Sequence, residues 1–294
     1  VGCGKKEEKQ LPAMGPASRE VQASDLAETK AKAAAEAKAA AEAKAGAWVS
    51  DPNDPNNVII EKAIRDRYNG INKPTGELTK ADLEKVTKLD LDDNDSKSKG
   101  LTDVKGLEKL TQLTDLDLGG NQLTSVEGLE KLDQLTKLYL HRNQLIELPK
   151  GLEKLTQLTD LDLGSSQLTS VKGLEKLTQL TVLNLSRNQL TKLPDSLEKL
   201  TLLEGLGLSG NQLTSVKGLE KLNQLTRLRL ERNELTKLPD SLEKLTQLTR
   251  LYLHENFLPD VKGLEKLDQL TVLNLRRNQL TDVKGLEKLT KLER

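Results

Sequence analysis

Leucine recurs in this chain at one fixed phase, and that regularity limits the possible folds more than any other feature. The segment LTDLDLGGNQLTSVEGLEKL, residues 113–132, returns with small changes to the end of the 294-residue sequence. Its first leucine recurs at Leu113, Leu135, Leu158, Leu180, Leu203, Leu225, Leu248 and Leu270. The steps between these positions alternate between 22 and 23 residues, so the copied unit is a pair of repeats.

A single copy of this repeat cannot fold alone, because it has one short strand pattern and nothing to cover its leucines. Ordering the backbone costs roughly 1–2 kcal/mol per residue. Each fully buried leucine stabilises by roughly 1.5–3 kcal/mol. The leucines of one copy can therefore offset the entropy cost of ordering its backbone only if neighbouring copies bury them. The sequence predicts stacked coils whose strands pair in parallel around one continuous core.

The pattern LxxLxLxxNxL in each copy resembles the leucine-rich repeat family. The resemblance implies an α/β solenoid with a curved parallel β-sheet on its concave side and short helical or 3-10 turns on its convex side. It also implies a binding scaffold, because proteins of this family mostly use the concave surface to hold another molecule.

The asparagine of each copy falls where the chain turns after the strand. Its amide can point inward and satisfy backbone groups, which matters because a buried backbone group without a partner costs roughly 1–3 kcal/mol. The predicted structural column is Asn121, Asn143, Asn188, Asn211, Asn233, Asn256 and Asn278. Ser166 interrupts the column, and we expect its coil to be weaker than the others. An exposed loop position is the alternative for each asparagine.

The first residues of the chain predict a membrane anchor. Residues 1–9 read VGCGKKEEK, and Cys3 is the only cysteine. A small residue before a cysteine, with polar residues after it, resembles the end of a bacterial lipoprotein signal. The resemblance implies a lipid on Cys3 and a membrane-anchored place in the bacterial cell envelope. The alternatives are a soluble cytoplasmic regulator, similar to phosphatase-regulating 22-residue repeats, and the recognition part of an effector.

Composition divides the remainder of the chain into three predicted parts. Residues 10–56, rich in Ala, Lys and Glu, predict a low-complexity helical tether without a large apolar stripe. Residues 57–86 carry two short amphipathic patterns that predict a small helical N-terminal cap, since the first coil would otherwise expose its leucines. Residues 87–294 are the predicted leucine-rich repeat domain.

The positions between and just after the strand leucines vary, while the scaffold positions do not. The predicted ligand-binding residues at these positions are Asp115, Asp117, Lys137, Tyr139, His141, Asp160, Asp162, Asn184, Arg227, Arg229, Arg250, Tyr252, His254 and Asn274. Acidic residues predominate in the N-terminal copies and basic ones in the C-terminal copies. The patches Tyr139/His141 and Arg250/Tyr252/His254 are favoured, because aromatic and arginine side chains commonly anchor protein interfaces. Solvated residues copied by duplication are the alternative.

The charge balance and the motifs exclude several functions. With 45 basic and 45 acidic side chains, the chain has no excess of positive charge for nucleic acid. The expected partner is another protein or a glycan. No nucleophile elbow, phosphate loop, HExxH or CxxC occurs, so we expect no enzyme, no catalytic residue and no cofactor. The two histidines lie five repeats apart, about 24 Å at the spacing of parallel strands, so we expect no shared metal.

Overall fold

The computed structural model describes residues 16–66, 70–93 and 100–293. Cys3 and the predicted lipoprotein N-terminus lie outside these residues. The chain divides into two compact units between residues 47 and 48. The limits predicted from the sequence for the tether, the cap and the repeat domain stay predictions.

The described part of the first unit, from residue 16 onward, contains one helix, α1, which spans Pro16–Ala45. Its alanines, lysines and glutamates are strong helix formers. The side chains of residues 29–42 are all exposed, because a helix of this composition has no large apolar face to bury. This helix confirms the predicted Ala-rich helical segment. No helix in the described part of the chain is long and apolar enough to cross a membrane.

The second unit begins with two short helices that form the N-terminal cap. Helix α2 spans Pro55–Arg65, and the Asp54 carboxylate caps it by accepting a hydrogen bond from the backbone N–H two residues later. Helix α3 spans Lys80–Leu83 and begins with a reciprocal capping box between Thr79 and Asp82. Both helix starts are therefore fixed by local side-chain bonds.

The cap closes the end of the stack through apolar packing and one amide. Trp48, Ile60 and Ile64 are buried in the same core as the leucines of the first coils. The Asn56 side chain donates to the Asp103 carboxylate at 2.7 Å, so the cap is also bonded to the first coil. Leucines that would otherwise meet water are thereby covered.

Arg65 holds the loop between the two cap helices. Its guanidinium donates to the carbonyls of Lys73 and Gly76, at 3.2 and 3.0 Å, and to the Glu61 carboxylate at 2.7 Å. Charge-assisted bonds of this kind are stronger than neutral ones. Arg65 therefore links α2 to the segment that leads into α3, together with backbone bonds from Ile71 and Lys73 to α2.

Within the described residues, nine three-residue strands form one parallel sheet in chain order. They are β1 (Lys88–Asp90), β2 (Asp115–Asp117), β3 (Lys137–Tyr139), β4 (Asp160–Asp162), β5 (Val182–Asn184), β6 (Gly205–Gly207), β7 (Arg227–Arg229), β8 (Arg250–Tyr252) and β9 (Val272–Asn274). The central leucine of each strand pairs with that of the next, as Leu116, Leu138 and Leu161 do. This register confirms the predicted leucine-rich repeat solenoid.

Among the described residues, the return segments at 219–221 and 264–266 form turns. The other seven, on the opposite side from the sheet, form short 3-10 helices, as predicted. They span Leu107–Lys109, Leu129–Lys131, Leu152–Lys154, Leu174–Lys176, Asp195–Lys199, Asp240–Lys244 and Leu286–Lys288. Two of them are five residues long, and each of these follows a proline of a longer repeat.

The shorter repeats start their return segments with a glycine and a glutamate that the sequence analysis did not connect. Gly128 has a φ of 103°, and its N–H donates to the Glu130 carboxylate at 2.7 Å. Hydrogen bonds from the N–H groups of Glu130 and Gly128 lower the pKa of this carboxyl. The same Gly–Glu bond recurs in five other coils.

Candidate ligand-binding face

A column of amides, buried except for the half-buried Asn278, fixes the turn that follows each of these strands. The Oδ1 atoms of Asn121, Asn143, Asn188, Asn211, Asn233, Asn256 and Asn278 each accept a hydrogen bond from a leucine N–H of the preceding coil, at 2.7–3.1 Å. Each Nδ2 donates to a leucine carbonyl of the preceding coil, at 2.9–3.0 Å. The amides thus lock the edge of the sheet coil by coil.

The residue before each column position lies in the left-handed backbone region. Gly120 and Gly210 occupy it without strain, but Arg187 and Arg232 both have a φ of 57° there. A non-glycine residue in this region costs of order 1 kcal/mol. The amide that follows, with its three backbone bonds, is what holds this conformation.

The outer surface of the sheet, called here the concave face, consists of the first and third residue of each strand and the residue two positions after the strand. All the predicted ligand-binding residues occupy such positions, and none of them is buried. Tyr139 and Tyr252 do not turn into the core. The two patches favoured from sequence lie on different parts of the face, because β4 to β7 separate Tyr139 from Tyr252.

The N-terminal half of the concave face concentrates carboxylates around Tyr139. The strand register sets Tyr139 directly between Asp117 and Asp162. Burial raises the pKa of the Tyr139 hydroxyl, and the neighbouring aspartates raise it further. The pKa of Asp117 is also raised, first by burial and then by other acidic groups. His141 Nε2 lies 3.9 Å from a carboxylate oxygen of Asp92. This half suits a cationic surface of a ligand.

The C-terminal half carries arginines. The Arg229 guanidinium carbon lies 5.3 Å from the centre of the Tyr252 ring, a cation–π contact. Arg232 and Arg277 both bind Glu255, at 3.1 and 3.0 Å. Burial acts to raise the pKa of Glu255, but bonds and charges from these two arginines outweigh it and lower the pKa. This half of the face is rich in positive charge.

A groove of about 760 Å³ lies between the two halves. Its floor is β6, because Gly205 and Gly207 have no side chains to project above the sheet. A Cβ atom at Gly205 would meet only Val182, at 3.9 Å, so the space above it is open. Asn184 lies beside this floor, and a Cβ at Gly207 would come within 2.6 Å of its Oδ1. Sequence reasoning did not single out the groove, although GLG at 205–207 departs visibly from the other strands.

Stacked coils in register, an asparagine column and a variable outer face together define a leucine-rich repeat solenoid. The leucine-rich repeat family model matches residues 156–213. No curated protein sequence matches the chain. No group of His, Cys, Asp or Glu in the described part of the chain is arranged to hold a metal ion.

Solved structures of bacterial repeat proteins resemble the chain. A leucine-rich repeat protein of Leptospira interrogans is 34% identical, with a TM-score of 0.67 over 72% of this chain. The chain spans only 55% of that protein. Internalin C2 of Listeria monocytogenes is 29% identical, with a TM-score of 0.60 over 81% of this chain and 91% of that one.

A plant receptor also resembles the chain. The ectodomain of the Arabidopsis thaliana membrane receptor kinase GASSHO1/SCHENGEN3, solved in complex with CASPARIAN STRIP INTEGRITY FACTOR 2, is 28% identical, with a TM-score of 0.55. The similarity covers 65% of this chain and 27% of the receptor chain. None of these comparisons indicates a catalytic family.

Proposed function

We propose that this protein is a non-enzymatic scaffold that binds a partner protein on the concave face of its repeats. The observation that carries the proposal is the contrast between two sets of positions. The leucines and asparagines that build the coils hardly change from one copy to the next, whereas the outer strand positions differ between every pair of adjacent strands. The outer positions are also segregated by charge along the sheet, with aspartates on β2 and β4, Lys137 between them on β3, and arginines on β7 and β8.

A partner that fits this face has charges in the opposite order. Basic groups would lie over the aspartates beside Tyr139, and acidic groups would lie over Arg227, Arg229 and Arg250. Complementary fields of this kind raise the association rate and select the orientation of a partner. The plant receptor ectodomain that resembles the chain was solved in complex with CASPARIAN STRIP INTEGRITY FACTOR 2, which supports a binding role for the repeats.

Site-specific photo-crosslinking tests the concave face as the binding surface. A benzophenone amino acid is placed at Tyr252 or, as the matched control, at Lys176 on the exposed 3-10 side, in cells that make the protein naturally. We expect a protein adduct from Tyr252 that is absent from Lys176. Adding Arg250→Ala should reduce the adduct at Tyr252. Equal adducts from both positions would contradict the proposal, and an adduct with a saccharide would favour a glycan as the ligand.

The second part of the proposal is that a lipid on Cys3 anchors the protein in the bacterial cell envelope. It rests on Cys3 being the only cysteine, on the small residue before it and on the polar residues after it. The exposed α1 helix, at about 1.5 Å per residue, would hold the repeats away from the membrane. A cytoplasmic regulator is the alternative location for the same binding surface.

Metabolic labelling with a palmitate analogue separates the two locations. The full gene product should take up the label in bacteria, whereas the Cys3→Ser variant should not. Globomycin should cause accumulation of the unprocessed form. If the protein remains unlabelled and globomycin has no effect, the anchor proposal is wrong and the cytoplasmic alternative is favoured.

A further inference from the structure

Three neighbouring coils place polar atoms without partners along one side of the groove. They are Ser209 Oγ, Glu231 Oε2 and His254 Nδ1, all buried and all lining the groove. Glu231 is only 9% exposed. A buried polar atom without a hydrogen bond costs free energy, so a row of three beside an open groove indicates a ligand that supplies the missing bonds.

The charges around the groove limit what that ligand can be. The lining contains the five arginines Arg142, Arg187, Arg227, Arg229 and Arg232, against two carboxylates, Asp162 and Glu231. Arg229 Nε lies 3.6 Å from Glu231 Oε1, and Arg232 Nε lies 3.1 Å from Glu255 Oε2, so two of these arginines face carboxylates of the protein itself. The remaining excess is positive and favours an anionic ligand.

The spacing of the arginines matches an extended polypeptide. Arg227 and Arg229 are the first and third residues of β7 and point to the same face. Residues two apart on a strand are about 6.6 Å apart, and alternate side chains of an extended peptide have the same separation. Gly205 leaves an opening beside Arg227 in which such a peptide can lie, whereas the Asn184 side chain covers Gly207.

We propose that the groove binds an extended acidic segment of the partner protein, with carboxylates at alternate residues facing Arg227 and Arg229. This inference rests on the proposed function and specifies the chemical class of the segment that the partner presents. A backbone N–H of the segment donates to Glu231 Oε2, and a backbone carbonyl accepts from the Ser209 hydroxyl. A polyphosphate would satisfy the arginines but has no donor for Glu231, and a cationic peptide would be repelled by the arginines.

Binding of synthetic peptides to the whole protein tests this proposal. The probe is a short fluorescein-labelled peptide of alternating Ser and Glu, measured by fluorescence anisotropy. The first control has the same composition with the glutamates in one block, and the second has Lys in place of Glu. We expect the alternating acidic peptide to bind at least about tenfold more tightly than either control. Equal binding of the blocked peptide, or tighter binding of inorganic polyphosphate, would overturn the proposal.

Two variants locate the binding in the groove. Gly205→Phe fills this opening, and its Cβ meets nothing closer than 3.9 Å, so the fold should be retained. The matched control for this change, Gln122→Phe, adds the same ring at an exposed position outside the groove. Arg227→Gln removes one charge without adding bulk. We expect Gly205→Phe and Arg227→Gln each to weaken binding of the alternating peptide at least about tenfold, with Gln122→Phe unchanged. Unchanged binding by Arg227→Gln would show that the peptide does not bind in this groove, even if Gly205→Phe proved unstable.

The crosslinking and peptide experiments distinguish a failure of the groove proposal from a failure of the scaffold proposal. If the adduct at Tyr252 forms normally while the acidic peptide does not bind, the groove proposal fails and the scaffold proposal stands. If no adduct forms at Tyr252 and the alternating peptide still binds the groove, the proposal that the concave face binds a partner protein fails separately from the groove proposal.

Discussion

Replacing Ser166 with asparagine should stabilise the repeat domain, because Ser166 is the one gap in the amide column. The Ser166 Oγ is buried and has no partner. By the pattern of the other coils, an asparagine here would accept from Leu145 N–H and donate to the carbonyls of Leu140 and Leu163. Leu145 N–H makes no hydrogen bond among the described residues. The backbone before the gap already has the required shape, since Ser165 has a φ of 53°.

The magnitude follows from the bonds that would form. Three new hydrogen bonds contribute roughly 0.5–1.5 kcal/mol each, and satisfying a buried N–H removes a further cost. Ordering the larger side chain offsets part of this gain. We expect Ser166→Asn to stabilise by about 1–3 kcal/mol. For a domain of this size each kcal/mol corresponds to about 2–4 °C in Tm.

Urea unfolding followed by circular dichroism measures the change, and hydrogen exchange locates it. The amide of Leu145 should become more protected in Ser166→Asn, while coils far from the gap should change least. The reciprocal control is Asn143→Ser, which should lose a comparable amount, because Asn143 makes equivalent bonds in the adjacent coil. If Ser166→Asn left both stability and the exchange of Leu145 unchanged while Asn143→Ser was destabilising, the account of the column would be refuted.

Three further predictions test other parts of the structure. The pKa of Glu130 is lower in the folded protein than in the unfolded chain, so its carboxylate stabilises the fold above about pH 4.5 and this contribution is lost as the pH falls through the folded-state pKa. Glu130→Gln removes this contribution, so the Tm of the variant should fall less steeply below about pH 4.5. Gly210→Ala, at a φ of 63°, should destabilise by about 1–2 kcal/mol in urea unfolding, whereas Gly205→Ala should stay within about 0.5 kcal/mol; equal effects would contradict the backbone argument. Arg65→Ala should loosen the cap, so that the fluorescence of Trp48, the only tryptophan, changes at a lower urea concentration than circular dichroism. Coincident transitions in that variant would show that the cap does not depend on Arg65.

The concave face could be read from the sequence only in part. Its residues were predictable because side chains alternate along a strand, so the neighbours of Leu138 and Leu251 had to face outward. The groove was not predictable in the same way. It requires Gly205 to lie beside Val182 on one side and Arg227 on the other, and residues more than 20 positions apart meet only when the coils stack.

The sequence alone determined the solenoid. Leucines at a fixed phase can be buried only by stacking identical coils, and this fixes the strand order, the register and the inward face before any coordinate is known. The tertiary structure decided where a ligand would find unsatisfied groups. Whether Glu231 Oε2 or Ser209 Oγ has a partner depends on which atoms of the adjacent coils reach it, and no spacing within one repeat contains that information.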